Sequence, residues 1–586
     1  MKFYFVPPDS PSRHHDSGSG IESLPRALLD RHGARILCPT AVPAASGWAA
    51  PRSTVYRVRT LLVPPRLQEQ PFLNQINTVL DRVGMRLVPV PSPKELAGDP
   101  DLAAVPTIAV LVPARGKGRA PVVVDAWIAL TALRDAADDG KTHGGKTNGG
   151  QTVGSLAYGD LASRDDDDAV LAEDDAVLDE DDVRQITLEH LLLGAMITGS
   201  PEIDGNPEID GNPAIPGYLS VNGDSRLPVE VYADAPHRLT GAECTSRYGR
   251  RPVVAVLDTG VREHPWLGVT RLPGNGGYDT AADGCVQVDP GIQQAIYLHA
   301  DAAGTAGDQG RGLIKDPWDA PVTPNPLTGE LEDALGHGSF ISGIFRQVVP
   351  DATVLIIRIM RSDDTVDEGA LITALALLVA RVAKAQDPAN PAPELMIDAV
   401  SLSFGYYDES ASDVHYSFAL RKVIDKLLDR GVLVFAAAGN NASSRRFYPA
   451  AFAALPATND TVPVVSVGAE NPNETHALFS DDGPWVTAWA SGASVVSTFP
   501  VDVRGSLMSV QEVPDGVRTR ESLNPDDFRG GFAVWAGTSF SAPALAAQFL
   551  KALLDGAPVQ PLMDVSPATT VTRALQALRH IGWEGG

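Results

Sequence analysis

Four stretches of this chain set reactive side chains among small ones. GTSFSAP carries Ser539 after Thr538, GHGS carries His337 between two glycines, DTG begins with Asp258, and AAAGNN carries Asn440 after Gly439. A serine hydroxyl is a weak nucleophile; it becomes an effective one when an imidazole takes its proton and a carboxylate orients that imidazole. A side-chain amide can meet the oxyanion that forms when a carbonyl is attacked. Each residue also has an ordinary explanation. Ser and Thr cap helices, and Pro543 is tolerated in a first turn; Asp and Asn form turns; a histidine beside glycines is commonly structural. The choice depends on whether one fold gathers the four.

From about residue 250, apolar runs alternate with amphipathic segments. VVAVL (253–257), TVLIIRI (353–359), AVSLSF (399–404), VLVFAAA (432–438) and VPVVSVG (462–468) read as strands, with helices over 368–386 and 416–431 between them. Such runs predict an α/β domain over 250–586: a doubly wound, mainly parallel sheet with helices on both faces. Functional groups in such sheets collect beyond the carboxyl ends of the strands. Asp258 and Asn440 follow strand runs, and His337 and Ser539 open apolar helices.

The N-terminal half reads differently. Residues 1–54 show no sustained periodicity and are expected to be partly disordered. Over 55–137 the order is strand, helix, strand, strand, helix, compatible with a small ferredoxin-like α+β unit. Residues 138–217 read as a linker. The acidic run 160–182 is expected to be a solvated, mobile segment, and its lack of glycine makes an EF-hand loop a weak reading; VRQITLEHLLLGAMI (183–197) is expected to be helical; the repeat PEIDGN PEIDGN is expected to be a turn-rich spacer. Residues 218–249 lead into the larger domain.

Composition narrows the classes. The chain has 586 residues with a formal net charge of −26, which makes nucleic acid a poor partner. Cys38, Cys244 and Cys285 are too few for a disulfide framework and match no zinc spacing. The N-terminus lacks a signal-peptide core of about 7 to 15 apolar residues, and no stretch approaches the roughly 18 needed to span a membrane. The expectation is a cytoplasmic protein with no membrane partner.

Taken together, the DTG, HGS, GTSFSAP and AAAGN stretches resemble the marker motifs of the subtilisin-like serine proteases (subtilases) in content and order, over roughly residues 250–555. The resemblance implies a serine endopeptidase that works through an acyl-enzyme on protein or peptide substrates. It makes Ser539 the nucleophile, His337 the general base and then acid, and Asp258 the orienting anion. Asn440 and the Ser539 backbone N–H would form the oxyanion hole. SLSFG resembles the family's cleft-lining strand, which puts Ser401, Leu402, Ser403, Gly405 and Gly439 at the substrate cleft. No cofactor is required; structural calcium, common in the family, maps to no ligand set in this sequence. Phe340 and Ser342 depart from the usual choices after the histidine. Insertions near 270–335, a candidate lid or specificity loop, and near 500–530 enlarge the domain. His264, His299, His415 and His476 read as structural or surface residues. A catalytically inactive peptide-binding scaffold, and an esterase or peptide-ligating acyl transferase using the same serine, remain alternatives. The N-terminal α+β unit is compatible with an inhibitory, folding-assisting propeptide and equally with a recruitment module for a protein partner.

Overall fold

The computed structural model describes residues 4–5, 24–39, 50–114, 122–143, 178–195, 226–274, 277–308, 310–321, 331–410, 418–454, 461–505, 512–521, 527–557 and 561–583. Most of the acidic run and the whole hexapeptide repeat lie outside these residues, as do parts of both insertions.

The N-terminal module is built from β1 (Thr54–Val63), α1 (Phe72–Arg82), β2 (Met85–Pro89), β3 (Thr107–Pro113), α2 (Ala126–His143) and β4 (Thr187–Gly194). Within the module all strand pairs are antiparallel, in the order β4-β1-β3-β2. A βαββαβ chain with this order is the ferredoxin-like arrangement, with α1 and α2 covering one face. Leu73, Ile76 and Leu80 of α1 pack with Trp127, Leu130 and Leu133 of α2 over Leu61, Leu87 and Leu111 of the sheet.

β4 corrects the sequence reading of 183–197 as a helix. Asp179 and Asp182 form a capping box on a short helix, Glu180–Arg184, after which the backbone extends. An unbroken leucine run carries no periodicity that distinguishes helix from strand. Here partners on both edges decide the matter. The segment drawn as linker over 138–217 therefore contains the module's fourth strand.

The larger domain holds an eight-stranded sheet. In chain order its parallel strands are β5 (Val253–Asp258), β6 (Val286–Val288), β7 (Thr353–Arg358), then β9 (Ala399–Leu402), β11 (Leu433–Ala437), β12 (Val464–Glu470) and β13 (Ala488–Ser491), with β8 (Thr365–Asp367) and β10 (Phe404–Tyr407) lying outside it. The sheet order is β6-β7-β5-β9-β11-β12-β13, closed at one edge by antiparallel Tyr4–Phe5. β7 flanks β5 on one side and β9 on the other, so the chain winds away in both directions from the carboxyl end of β5, where Asp258 sits. Helices α3 (His337–Val348), α4 (Glu368–Ala385) and α5 (Thr538–Gly556) pack on the sheet, α5 with fifteen buried residues. Among the described residues no helix is long and apolar enough to cross a membrane.

β4 also joins the two parts. Its first half pairs with β1, while its second half lies between β8 (Thr365↔Leu193, Val366↔Leu192, Asp367↔Leu191) and β10 (Phe404↔Gly194, Gly405↔Leu193). One apolar core continues from the module (Val55, Leu62, Leu191, Leu192) into the larger domain.

Candidate functional site

Asp258 ends β5 fully buried, and its carboxylate accepts the Thr259 N–H at 2.8 Å. His337 opens α3 after Gly336, whose φ of +87° suits glycine at that turn. The ring Nδ1 lies 2.8 and 3.0 Å from the two Asp258 carboxylate oxygens. The other face of the site comes from α5 and the strand Phe532–Trp535 before it. Trp535 and Phe540, which bracket Ser539 in the chain, hold the His337 ring at centroid distances of 5.5 and 5.2 Å. His337 Nε2 and Ser539 Oγ are both buried and have no hydrogen-bond partner.

Pro543 lies six residues into α5, past the first turn expected for it. Its missing N–H leaves the carbonyl of Ser539 without the usual helical donor. Ser403 Oγ takes that place at 3.0 Å. Asn440, at the turn beyond β11, accepts the backbone N–H and the hydroxyl of Thr538, both at 2.9 Å, through its Oδ1. This fixes the amide and leaves Nδ2 buried and unpartnered.

The C-terminal end of β4 runs into this site. Ala195 donates its N–H to the Ser403 carbonyl and accepts the Ser539 N–H at its own carbonyl, each at 2.8 Å; Gly194 donates to the Asp364 carbonyl at 3.2 Å. Of the expected cleft residues, Ser403 and Gly405 meet β4 directly, and Gly439 bonds Thr538 Oγ1 at 3.1 Å. Ser401 and Leu402 instead lie within the parallel sheet as β9, where Leu402 is core.

Comparison with known proteins now fits this geometry. A model of the subtilase family matches residues 249–572. The chain belongs to the subtilase family. It is 27% identical over 184 residues to subtilisin DY of Bacillus licheniformis, covering 30% of this chain and 58% of that protein. It is 26% identical over 310 residues to an extracellular basic protease of Dichelobacter nodosus, covering 50% of this chain and 42% of that one. The matched length is thus under two thirds of either relative. A cold adapted subtilisin-like serine proteinase of known structure shares 16% identity, with 58% of this chain and 85% of that chain covered at a TM-score of 0.31.

In this subtilase several residues support the site in ways that their sequence setting does not reveal. Thr538, expected only to be structural, is the anchor of Asn440. Asp319, inside the 270–335 insertion, accepts the Gly336 N–H at 2.6 Å and the Thr259 hydroxyl at 3.1 Å, and so ties together the starts of the Asp258 and His337 segments. Burial raises its carboxyl to about 6 against the bonds that favour the anion. Asp481 accepts the N–H groups of Asn441 and Ser443, both at 2.9 Å, and so shapes the turn that carries Asn440; burial raises it to about 7. His264 and His299 are buried and depressed to about 4 by burial, His264 bonding the Gly531 carbonyl and His299 the Thr373 hydroxyl. His476 stacks on Trp489, and His415 lies outside the described residues.

The interface between module and core is rich in buried charge. Arg57 of β1 donates to Asp308 at 2.9 Å and to Asp367 at 3.0 Å. Arg311 pairs Glu189 and Asp308, and Arg361 pairs Asp367 at 2.6 Å. His190 of β4 sets Nδ1 2.7 Å from Glu368 and Nε2 2.9 Å from Glu409. Burial alone would lower this imidazole's pKa, but the two carboxylates hold it well above its ordinary value. His190, Asp408 and Glu409 could in principle converge on a cation. With carboxylates on both ring nitrogens, a protonated imidazole already meets that charge, and the cluster acts as an ion-pair clasp.

Proposed function

We propose that this subtilase chain is a serine endopeptidase whose N-terminal module inhibits it by laying β4 along the cleft. The observation that carries the reading is the Ala195 carbonyl on the Ser539 N–H; the Asn440 amide, whose Nδ2 is unpartnered, is the second donor we assign to the oxyanion. We read a carbonyl held this way as standing where that of the bond to be cut would stand.

The chemistry then follows from the residues. Ser539 Oγ attacks the carbonyl carbon as His337 Nε2 takes its proton, and Asp258 fixes the tautomer and steadies the imidazolium. Negative charge moves onto the carbonyl oxygen, which the Ser539 N–H and Asn440 Nδ2 stabilise. His337 returns the proton to the departing amine, leaving an acyl-enzyme on Ser539. Water, deprotonated by the same imidazole, releases the acyl group.

The substrate is an extended peptide, since β8 and β10 offer free strand edges once β4 leaves. The reading is tested by incubating the full chain and following intact mass. Cleavage between Ala195 and Met196 in the wild type, absent in Ser539→Ala, supports it. An intact wild type that neither cuts added peptides nor reacts with a fluorophosphonate contradicts it.

A further inference from the structure

The residue that β4 brings to the Ser539 N–H is small, and the protein around it leaves little room for a larger one. Along a strand, side chains alternate between the two faces. Gly405 stands opposite Leu193 and Phe404 opposite Gly194, and Ala195 donates its N–H to the Ser403 carbonyl at 2.8 Å. The side chains of Leu193, Ala195 and Ser403 therefore share a face with any Cβ that Gly405 could carry. Phe447 lies on that face: a Cβ at Gly405 would come within 2.5 Å of its ring. A Cβ at Gly439 would come within 3.2 Å of the same ring, and Gly439 precedes Asn440 and bonds Thr538, next to Ser539. The buried Phe447 ring thus reaches both the segment that accepts the Ala195 N–H and the turn beside the group that donates to the Ala195 carbonyl. It is also pinned there. Phe447 pairs with Tyr407 of β10, and the two rings meet at 5.1 Å. The Tyr407 hydroxyl in turn donates to Asp481 at 2.6 Å and accepts the Asn441 amide at 3.0 Å.

Resting on the reading that Ala195 stands at the bond to be cut, we propose that Phe447 fills the pocket for the residue whose carbonyl is attacked and limits it to small side chains: Gly, Ala or Ser. A longer or aromatic side chain there would have to displace a ring held by β10 and the Asn440 turn, and close-packed interiors resist such added volume. Two glycines, Gly405 and Gly439, keep the backbone on either side clear, and the phenylalanine takes up the space they leave. The substrate class is then an extended peptide with a small residue before the cut, which Ala195 supplies in the chain's own inhibitory strand.

The test uses quenched peptides built on the sequence around residues 191–197, with the position of Ala195 varied among Gly, Ala, Ser, Leu and Phe, and the full chain after self-processing. Ratios of kcat/KM between peptides are compared, because they do not depend on how much enzyme the module still blocks. We expect the wild type to favour Ala over Leu and Phe by about 10- to 200-fold, the range in which pocket size discriminates side chains. In Phe447→Ala the ratio of Phe to Ala should rise about 10-fold or more, and in the milder Phe447→Leu by a smaller factor. Equal turnover of the Ala, Leu and Phe peptides by the wild type overturns the proposal while leaving the protease reading intact, and needs no variant. Wild-type ratios in both variants, each still labelled by a fluorophosphonate, overturn the assignment to Phe447. If the wild type cuts no peptide and takes no label, the protease reading itself fails and the proposal with it.

Discussion

At the level of single residues, the site depends on groups that hold the reacting ones. Asn440 can present Nδ2 because Thr538 claims its oxygen twice. Asn440→Ala should lower kcat by about 10²- to 10³-fold with little change in KM, since the lost hydrogen bond forms mainly in the transition state. Thr538→Val keeps the shape but removes the hydroxyl that bonds both Asn440 and the Gly439 N–H. It should cost roughly 10-fold in kcat and about 1–3 kcal/mol of stability, the ordinary penalty for buried polar groups left unpaired. Steady-state kinetics and thermal melting on the two variants check this. A Thr538→Val enzyme with unchanged kcat would mean that Asn440 needs no anchor. The settings of Ser539, His337, Asp258 and Asn440 could be read in the sequence because each sits in a short motif of small residues, and the structure brings Asp258 and His337 into contact. Thr538 was legible only as a cap, and Asp319 not at all, since an acid in a proline-rich insertion looks like any turn former.

At the level of elements, β4 links the module to β8 and β10, and its attachment has a pH signature. His190 faces Glu368 from α4 and Glu409 and Asp408 from the loop after β10, with the Tyr406 ring stacked on it at 4.1 Å, while Arg134 of α2 acts on Glu409. Its docked pKa is raised, so its contribution to docking is fully present below the undocked value of about 6.5 and is lost as pH climbs through the docked value. Glu409 is shifted the opposite way: burial opposes it, but His190 lowers it, so its share is lost only on acidification. Hydrogen exchange of residues 187–195 should therefore stay slow at pH 5–7 and accelerate at alkaline pH. Release between pH 6 and 5 would contradict the clasp. The parallel strands could be read from the sequence because burial on both faces leaves continuous apolar runs. β4 could not, because Leu191–Leu193 has no period and its partners are in strands nearly two hundred residues away.

Across the whole molecule, two units share one apolar core and a charged seam in which Arg57, Arg311 and Arg361 balance Glu189, Asp308 and Asp367. A buried pair adds little net stability, but removing one partner leaves a charge stranded and costs about 3–5 kcal/mol. Arg57→Met should accordingly loosen the module without unfolding the larger domain. In the full chain it should speed processing after Ala195 and lower the first of two melting transitions; a single unchanged transition with wild-type processing would show that the seam does not control attachment. The ferredoxin-like order of the module was foreshadowed by five of its strands and helices, but its closing strand, and hence its contact with Ser403 and Ser539, came only with the fold. Both the role of Ser539 as nucleophile and its blockade by the module at Ala195 are open to one measurement. Time-resolved intact mass of wild type and Ser539→Ala, with a fluorophosphonate added at each point, tests both parts together. A fragment beginning at Met196 should appear in the wild type alone, with the label appearing on Ser539 as that fragment accumulates. Equal cleavage in Ser539→Ala, or a label on another residue, would contradict it.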